Sequence, residues 1–427
     1  MSDRSWGFRT RALHAGGQPD PTTGARAVPI YQSTSFVFDD VADAADLFAL
    51  QKYGTIYTRI SNPTTAAFEE RMASLEGGIG AVATASGQAA EFLTAAALAE
   101  QGTNFVTSSS LYGGTHNMFD NTLGRFGIEA RFVDGDDPQA FAAAVDDRTR
   151  FLYTEVIGNP SGAVADLEAL ADVAHADDLP LVVDATFATP YLCRPMEHGA
   201  DIVVHSATKF IGGHGTSIGG VVVESGRFDW GSGRFPQMTE PNAGYNGLRF
   251  WENFGELAFC TKLRAEQLRD VGASLSPFNA FLLLQGLETL PQRMEEHVAN
   301  AQAVAGFLDA HTAVGWVAYA GLDASPYRDL ADRYMPKGPG AVFTFGVVGG
   351  REAGAAFIDR LQLISHLANV GDARTLVIHP ASTTHQQLSD EALAAGGVGP
   401  DMVRLSVGLE DLDDILWDLD QALGGEV

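Results

Sequence analysis

Lys209 ends the segment 201–209, which reads DIVVHSATK: a short apolar run, two hydroxyl residues and a lysine. A lysine at the end of a buried strand is costly to keep charged, so its pKa falls and it can form a Schiff base with a carbonyl cofactor. The hydroxyl groups of Ser206 and Thr208 are well placed to bind a phosphate. The alternative is an ordinary surface lysine, which is weakened because the chain has only four lysines.

A possible phosphate site precedes this segment in the chain. Ser86-Gly87-Gln88 stands between a predicted strand, Ala81–Ala85, and an Ala-rich predicted helix. A strand-to-helix turn of this kind directs free backbone N–H groups and the positive end of the helix dipole at one point, which suits a phosphate. Serine is also among the commonest helix N-caps, so taken alone the motif favours a simple cap.

Asp184 ends the apolar run Leu181–Asp184, at the strand end where open α/β sheets bind ligands. A carboxylate there could bind a metal, a ribose or a protonated ring nitrogen, or simply cap the strand. The sequence lacks the G-x-x-x-x-G-K-[ST] loop of nucleotide hydrolases, and its first strand–helix turn lacks the glycine fingerprint of dinucleotide-binding folds.

Three further segments offer aromatic and basic side chains. Tyr57 and Arg59 are two residues apart in an extended stretch and project to the same side, where the arginine could clamp a phosphate. Tyr112 precedes two glycines and could present a flat face to a planar cofactor. Arg404, on a C-terminal strand, could bind a carboxylate. Each has an ordinary structural alternative: a packed tyrosine or a solvated arginine.

Together these groups indicate one chemistry. A phosphate site, an acid for a ring nitrogen, a Schiff-base lysine, a stacking aromatic and an arginine for a carboxylate are what pyridoxal phosphate needs to act on an amino acid. The eleven histidines show no pair with metal-ligand spacing, so we expect no metal.

The elements that must position these groups alternate between strand and helix. Short apolar runs such as Ile202–His205 are typical of strands buried on both faces, and the alternation predicts a mostly parallel sheet wrapped by helices. A second region has strand candidates at Ala341–Val347 and Val403–Val407. The last predicted helix, Leu409–Leu423, has an apolar stripe for packing and acids that mostly face water.

We therefore predict an N-terminal arm over residues 1–64, turn-rich and extended. A large cofactor-binding domain follows over 65–265, and a C-terminal α/β domain over 266–427. The chain of 427 residues is long enough for this organisation.

Composition excludes several classes of protein. With 54 acidic and 27 basic residues the formal charge is −27, which disfavours nucleic acid and anionic membranes as partners. No apolar run is long enough to span a bilayer, and the first ten residues lack the apolar core of a signal peptide. Two cysteines fit a reducing compartment. These features predict a soluble cytoplasmic protein.

The same motifs carry a resemblance to a known family. From the segment 10–16, TRALHAG, to the segment 404–410, RLSVGLE, the chain resembles the pyridoxal-phosphate enzymes of cysteine and methionine metabolism, the trans-sulfuration family. The segments 18–25 and 366–375 and the long stretch after Gly220 are similar to the branch that acts on O-acetylhomoserine with sulfide. The glycine at position 114 makes the methionine γ-lyase branch a poorer match.

The resemblance implies fold type I, as in aspartate aminotransferase, and a role for each motif residue. Lys209 would carry the cofactor and shuttle protons, Asp184 would face the ring nitrogen, Tyr112 would stack on the ring, and Arg404 would bind the substrate carboxylate. The other expected cofactor contacts are Ser86, Gly87, Gln88, Asn159, Thr186, Ser206 and Thr208. Asn369 and Ser365 would assist Arg404. Tyr57 and Arg59 would reach the phosphate of a neighbouring subunit, within a homotetramer built of dimers.

The reaction implied is γ-replacement on O-acetyl-L-homoserine by sulfide or a small thiol, giving L-homocysteine or methionine and acetate. Cystathionine γ-synthase and cystathionine or methionine γ-lyase are alternatives within the family. A non-catalytic regulator that binds pyridoxal phosphate is a more distant one, and a nucleotide-binding α/β protein another.

The acidic composition also suits a cytoplasm rich in salt. We predict that the midpoint of thermal unfolding rises as sodium chloride is added. Salt screens the repulsion between surface carboxylates, since the Debye length falls from about 30 Å at 0.01 M to about 3 Å at 1 M. Calorimetry across this range measures the effect. Full stability at the lowest ionic strength would contradict the hypothesis.

Overall fold

The computed structural model describes residues 5–133, 137–383 and 399–425. Two sheets organise these residues. The larger has seven strands: β1 (Gly80–Thr84), β2 (Asn104–Ser108), β3 (Glu129–Val133), β4 (Thr149–Glu155), β5 (Leu181–Asp184), β6 (Ile202–Ser206) and β7 (Gly220–Glu224). The smaller has five: β8 (Val314–Ala318), β9 (Val342–Val347), β10 (Ser365–His366), β11 (Leu376–Ile378) and β12 (Met402–Ser406).

The large sheet has the order β1-β7-β6-β5-β4-β2-β3. All its pairs are parallel except the two made by β7, which runs antiparallel to both β1 and β6. The prediction of a mostly parallel sheet is therefore confirmed. β4, β5 and β6 end side by side, so their last residues, Glu155, Asp184 and Ser206, lie along one edge. This edge carries the site.

The central strands are buried on both faces. Val182 and Val204 face one apolar core with Phe105 and Phe259, whereas Val183 belongs to the other. Side chains alternate across a strand, so a continuous apolar run fills both cores. The sequence prediction for these strands is confirmed.

Helices cover the sheets. Those of the first 200 residues are α1 (Phe8–His14), α2 (Val41–Phe48), α3 (Pro63–Glu76), α4 (Gly87–Leu98), α5 (Gly113–Asn117), α6 (Pro138–Ala144), α7 (Leu167–Ala176) and α8 (Thr189–Leu192). The later ones are α9 (Pro236–Thr239), α10 (Phe250–Phe254), α11 (Ala258–Lys262), α12 (Arg269–Val271), α13 (Pro277–Glu288), α14 (Leu290–Asp309), α15 (Arg328–Tyr334), α16 (Gly350–Arg360) and α17 (Leu412–Leu423). A π-helical segment, Leu263–Leu268, joins α11 to α12.

The N-terminal region differs from the extended arm that the sequence predicts. Its turns separate two helices, α1 and α2, and Ala12 of α1 is fully buried. The ring of Phe8 packs edge-on against Tyr191, with centroids 5.3 Å apart. The glycines and prolines of this region lie in or near turns, as predicted. Helix α1 forms because its apolar residues pack on the core of the protein.

One buried acid connects the segment that follows β7 to the large sheet through hydrogen bonds. Glu224, at the end of β7, accepts hydrogen bonds from Trp230 Nε1 at 2.9 Å and from the N–H of Cys260 at 2.8 Å. Burial raises the pKa of Glu224 to about 7. The Trp230 ring stacks on Phe259, which belongs to the apolar core under α11.

The last helix begins at Leu412, three residues later than predicted, and one of its acids is buried. Asp418 accepts from the N–H groups of Gln362 at 2.8 Å, Leu363 at 2.9 Å and Ile364 at 2.8 Å. The acids of this helix mostly face water as predicted, but Asp418 instead holds the chain that leads into β10.

Replacing Asp418 with alanine should lower the free energy of unfolding by about 3 kcal/mol, because three backbone N–H groups lose their buried acceptor. Urea unfolding followed by tryptophan fluorescence measures this. Asp413→Ala, at an exposed position of the same helix, should change stability by less than about 0.5 kcal/mol. Equal losses in the two variants would show that the Asp418 bonds contribute little.

Candidate active site

A cavity of about 260 Å³ opens at the edge where β4, β5 and β6 end. The large sheet and its helices supply most of its wall. The smaller domain contributes Arg404 of β12 and the loop residues Ala368, Asn369 and Val370. The sequence-predicted residues that line it are Ser86, Gly87, Gln88, Tyr112, Asn159, Asp184, Thr186, Ser206, Thr208, Lys209, Asn369 and Arg404.

Lys209 projects into this cavity from the turn after β6. Its Nζ donates to Asn369 Oδ1 at 2.6 Å. Burial, reinforced by the positive charge of Arg404, lowers the pKa of Lys209 to about 8. The lowered pKa agrees with the expectation for a lysine in this position, and about a tenth of the amine is neutral and nucleophilic at pH 7.

The N-terminus of α4 forms a concave surface beside the lysine. Ser86 caps the helix, its Oγ accepting from the N–H of Ala89 at 3.1 Å, so it is an N-cap and a cavity residue at once. The N–H groups of Gly87 and Gln88 occupy the first helical positions, which have no partner within the helix. A Cβ on Gly87 would lie 2.5 Å from Ser206 Cβ, so glycine lets the helix end meet the serine and threonine hydroxyls.

Asp184, the last residue of β5, lines the same cavity. Its Oδ1 accepts from the N–H of Thr186 at 2.6 Å, and Thr186 Oγ1 in turn accepts from the N–H of Ser206 at 2.8 Å. Burial raises the pKa of Asp184, while the bonds from Thr186 and the charge of His205 act in the opposite direction. A carboxylate in such a site is strongly stabilised by a cationic partner.

Tyr112 forms the outer wall. Its ring is 49% exposed, and its N–H donates to Glu155 Oε1 at 2.7 Å. A Cβ on Gly114 would lie 2.5 Å from Tyr112 Cε1. The glycine at this position therefore avoids a steric clash with the Tyr112 ring.

Arg404 closes the cavity from the small sheet. Its Nη1 donates to Asn159 Oδ1 at 3.3 Å, and burial lowers the pKa of the guanidinium. A buried arginine with N–H groups to spare suits a carboxylate, which it can bind through two parallel hydrogen bonds.

Three predicted residues lie away from the cavity wall. Arg59 donates to the carbonyl of Arg269 and lies over the ring of Tyr57, with the guanidinium carbon 5.6 Å from the ring centroid. Tyr57 itself is 41% exposed. Ser365 lies in β10 and pairs with Leu376 of the neighbouring strand β11. The structure thus brings none of these three into the site of the same chain.

The cavity also contains residues that the sequence motifs missed. Glu155 ends β4 as Asp184 ends β5, so a systematic reading of strand ends could have found it. Glu91, on the second turn of α4, and the apolar Ile157, Phe187, Ile218 and Val370 have no local signal, because only the tertiary packing brings them together.

These donors fit pyridoxal phosphate. The N-terminus of α4 and the hydroxyls of Ser206 and Thr208 suit the phosphate, and the absence of a side chain at Gly87 leaves space for it. The neutral fraction of the Lys209 amine can react with the aldehyde. The carboxylate of Asp184 suits a ring N–H, and the ring of Tyr112 suits a planar π-system.

Comparison with known proteins agrees with this geometry. The family described as Cys/Met metabolism PLP-dependent enzyme matches residues 9–424. An O-acetyl-L-homoserine sulfhydrylase of Leptospira meyeri is 52% identical over 98% of this chain and 97% of its own. A homocysteine synthase of Schizosaccharomyces pombe is 53% identical, over 97% and 98%.

A solved structure has the same fold. The chain of an O-acetylhomoserine (thiol)-lyase from Campylobacter jejuni superimposes with a TM-score of 0.94 at 39% identity, covering 98% of this chain and 100% of that one. In that structure a lysine is present as N'-pyridoxyl-lysine-5'-monophosphate. The expectation of a type I fold, with a large mostly parallel sheet and a smaller domain, is confirmed.

Replacing Gly87 with alanine should weaken the binding of pyridoxal phosphate about tenfold or more. The new methyl group separates the helix end from Ser206 and so removes hydrogen bonds to the phosphate. Titration of the cofactor-free protein, followed by absorbance, gives the dissociation constant.

The matched control is Gly306→Ala in α14, where an added Cβ meets nothing within 4 Å. It should bind the cofactor like the original chain. Unchanged affinity in Gly87→Ala would mean that this helix end does not hold the phosphate.

Proposed function

We propose that this chain, which belongs to the family of Cys/Met metabolism PLP-dependent enzymes, exchanges the acetate of O-acetyl-L-homoserine for sulfide or a small thiol. The products are L-homocysteine, or methionine from methanethiol, and acetate. The observation that carries the proposal is the identity of about half of all residues, over nearly the full length, with relatives named O-acetyl-L-homoserine sulfhydrylase. The cavity supplies the groups that this reaction needs.

When bound, pyridoxal phosphate supplies an aldehyde that joins the substrate amine and a cationic ring that withdraws electrons from the substrate carbons. Lys209 takes the proton from the substrate Cα, for which its pKa of about 8 is suited. A proton then leaves Cβ, and the electrons of that C–H bond expel acetate from Cγ as the C–O bond breaks. Hydrosulfide forms the new C–S bond at Cγ, and the protons taken from Cα and Cβ return to the substrate. Asp184 would keep the ring nitrogen of the bound cofactor protonated.

The remaining residues bind and orient. Tyr112 would stack on the ring of the bound cofactor, and Thr186 and Asn159 would contact the edge of that ring. The phosphate would be held by the α4 N-terminus, with Ser86, Gly87 and Gln88, and by the hydroxyls of Ser206 and Thr208, all of which line the cavity. Arg404 binds the substrate α-carboxylate, with Asn369 beside it.

We further propose that the active form is a homo-oligomer, a tetramer built of dimers. Tyr57 and Arg59 would complete the phosphate site of the adjacent subunit. Neither residue lines the cavity of its own chain, which supports this, as does the exposure of apolar residues in the same region, among them Val37 and Tyr53.

We place the enzyme in the cytoplasm. Cys193 and Cys260 are both unpaired and buried, which fits a reducing compartment. Among the described residues no helix is long and apolar enough to cross a membrane.

Steady-state assay of the holoprotein with O-acetyl-L-homoserine and a panel of nucleophiles tests the proposed reaction. We expect turnover with sulfide or methanethiol and much slower turnover with cysteine. If cysteine is the best nucleophile, the enzyme is a cystathionine γ-synthase. If it releases 2-oxobutanoate when no thiol is present, it is a γ-lyase. A protein that binds the cofactor and turns over none of these would be a regulator.

Arg404→Leu should raise KM for O-acetyl-L-homoserine about 100-fold, with a smaller effect on kcat, because the carboxylate contact is made in the ground state as well. Arg328→Leu, which removes a half-buried arginine of α15 paired with Asp332 and absent from the cavity wall, should leave both constants unchanged. An unchanged KM in Arg404→Leu would place the carboxylate elsewhere.

A further inference from the structure

Glu91 is a buried acid in the cavity wall that no step of the reaction uses. It lies on the second turn of α4, is 5% exposed, and lines the same cavity as Asp184. Its carboxyl group is a hydrogen-bond neighbour of the Asp184 carboxyl group. Two acids are therefore adjacent, deep in the protein, beside the expected position of the ring nitrogen.

The partners of Glu91 are neutral. Oε2 accepts from Gln88 Nε2 at 3.0 Å and from Thr115 Oγ1 at 2.9 Å, while Oε1 contacts Thr115 Oγ1 at 3.1 Å and the hydroxyl of Tyr153 at 3.2 Å. Within the described ranges, none of the hydrogen-bond partners of this side chain is a cation. A second negative charge next to Asp184 would thus be uncompensated, which is very costly in a buried site.

The two acids differ in how well their surroundings support a negative charge. Asp184 receives the short N–H bond from Thr186, whose hydroxyl also bonds it, and has the charge of His205 nearby. Burial and then the negative charge of Asp184 raise the pKa of Glu91 well above its usual range. The proton shared by the pair therefore belongs on Glu91.

The hydrogen-bond network leaves room for that proton. Oε2 accepts the closer bonds, whereas the contacts of Oε1 are longer and involve hydroxyls, which can accept as well as donate. A protonated Glu91 can donate to Asp184 without leaving any of its other neighbours unpaired.

We propose that Glu91 is a neutral carboxylic acid that positions Asp184 by donating a hydrogen bond to its carboxylate, holding that carboxylate as the partner of the cofactor ring nitrogen. Glu91 is a positioning residue, since it acts through Asp184. The proposal rests on the proposed function for its catalytic consequence but not for the protonation state, which is a property of the protein alone.

Infrared difference spectroscopy in D₂O at pH 7 tests the protonation state. The spectrum of the original chain minus that of Glu91→Gln should contain the C=O stretch of a protonated carboxyl group. The matched control is Glu69→Gln, which removes a buried glutamate paired with Arg264 at 2.8 Å and so should remove only carboxylate bands. Absence of the protonated band from the Glu91 difference spectrum would overturn the proposal.

Kinetics test the positioning role. Glutamine keeps a donor at this position, so Glu91→Gln should retain kcat within about threefold, whereas Glu91→Leu should lose about 10- to 100-fold in kcat with little change in KM. The absorption of the bound cofactor should shift in Glu91→Leu and not in Glu91→Gln. Equal damage in the two variants would contradict the role. If the holoprotein has no sulfhydrylase activity, the proposed function fails, and the infrared result still decides the state of Glu91.

Discussion

The burial of one lysine amine at the edge of the large sheet is the constraint on which the rest of the site depends. A charged amine is costly there, and the nearby guanidinium of Arg404 raises the cost further. The protein accommodates the amine by lowering its pKa and by giving it Asn369 as a hydrogen-bond acceptor. The same cost makes the amine a nucleophile and a base near neutral pH, so the chemistry of the site follows from the position of the lysine.

Helix α14 holds the turn that carries Lys209 in place. The buried guanidinium of Arg293 donates to the carbonyls of Phe210 at 2.7 Å and Ile211 at 3.2 Å, directly after the lysine. One turn later, His297 Nδ1 bonds the carbonyl of Val407, which follows β12, at 2.8 Å. One helix therefore ties the turn that carries Lys209 to the strand that carries Arg404, and the two sheets present a single cavity.

Much of this could be predicted from the sequence, because local patterns determine strands buried on both faces and their polar ends. Lys209, Asp184 and the turn at Gly87 are of this kind. Other features depend on tertiary contacts that leave no local pattern. The apolar stripe of α17 gives no sign that Asp418 is buried under the loop before β10, and nothing in the sequence of α4 indicates that Glu91 meets Asp184. The domain boundaries near residues 64 and 265 stay predictions, as do the roles of Tyr57, Arg59 and Ser365.

The central claim is that the amine of Lys209 carries the cofactor. Borohydride reduction of freshly purified protein, followed by proteolysis and peptide mass mapping, measures this directly. The account predicts a pyridoxyl phosphate adduct on the peptide that contains Lys209 and none on Lys52, Lys262 or Lys337. An unmodified Lys209, or an adduct at one of the other three positions in its place, would contradict it.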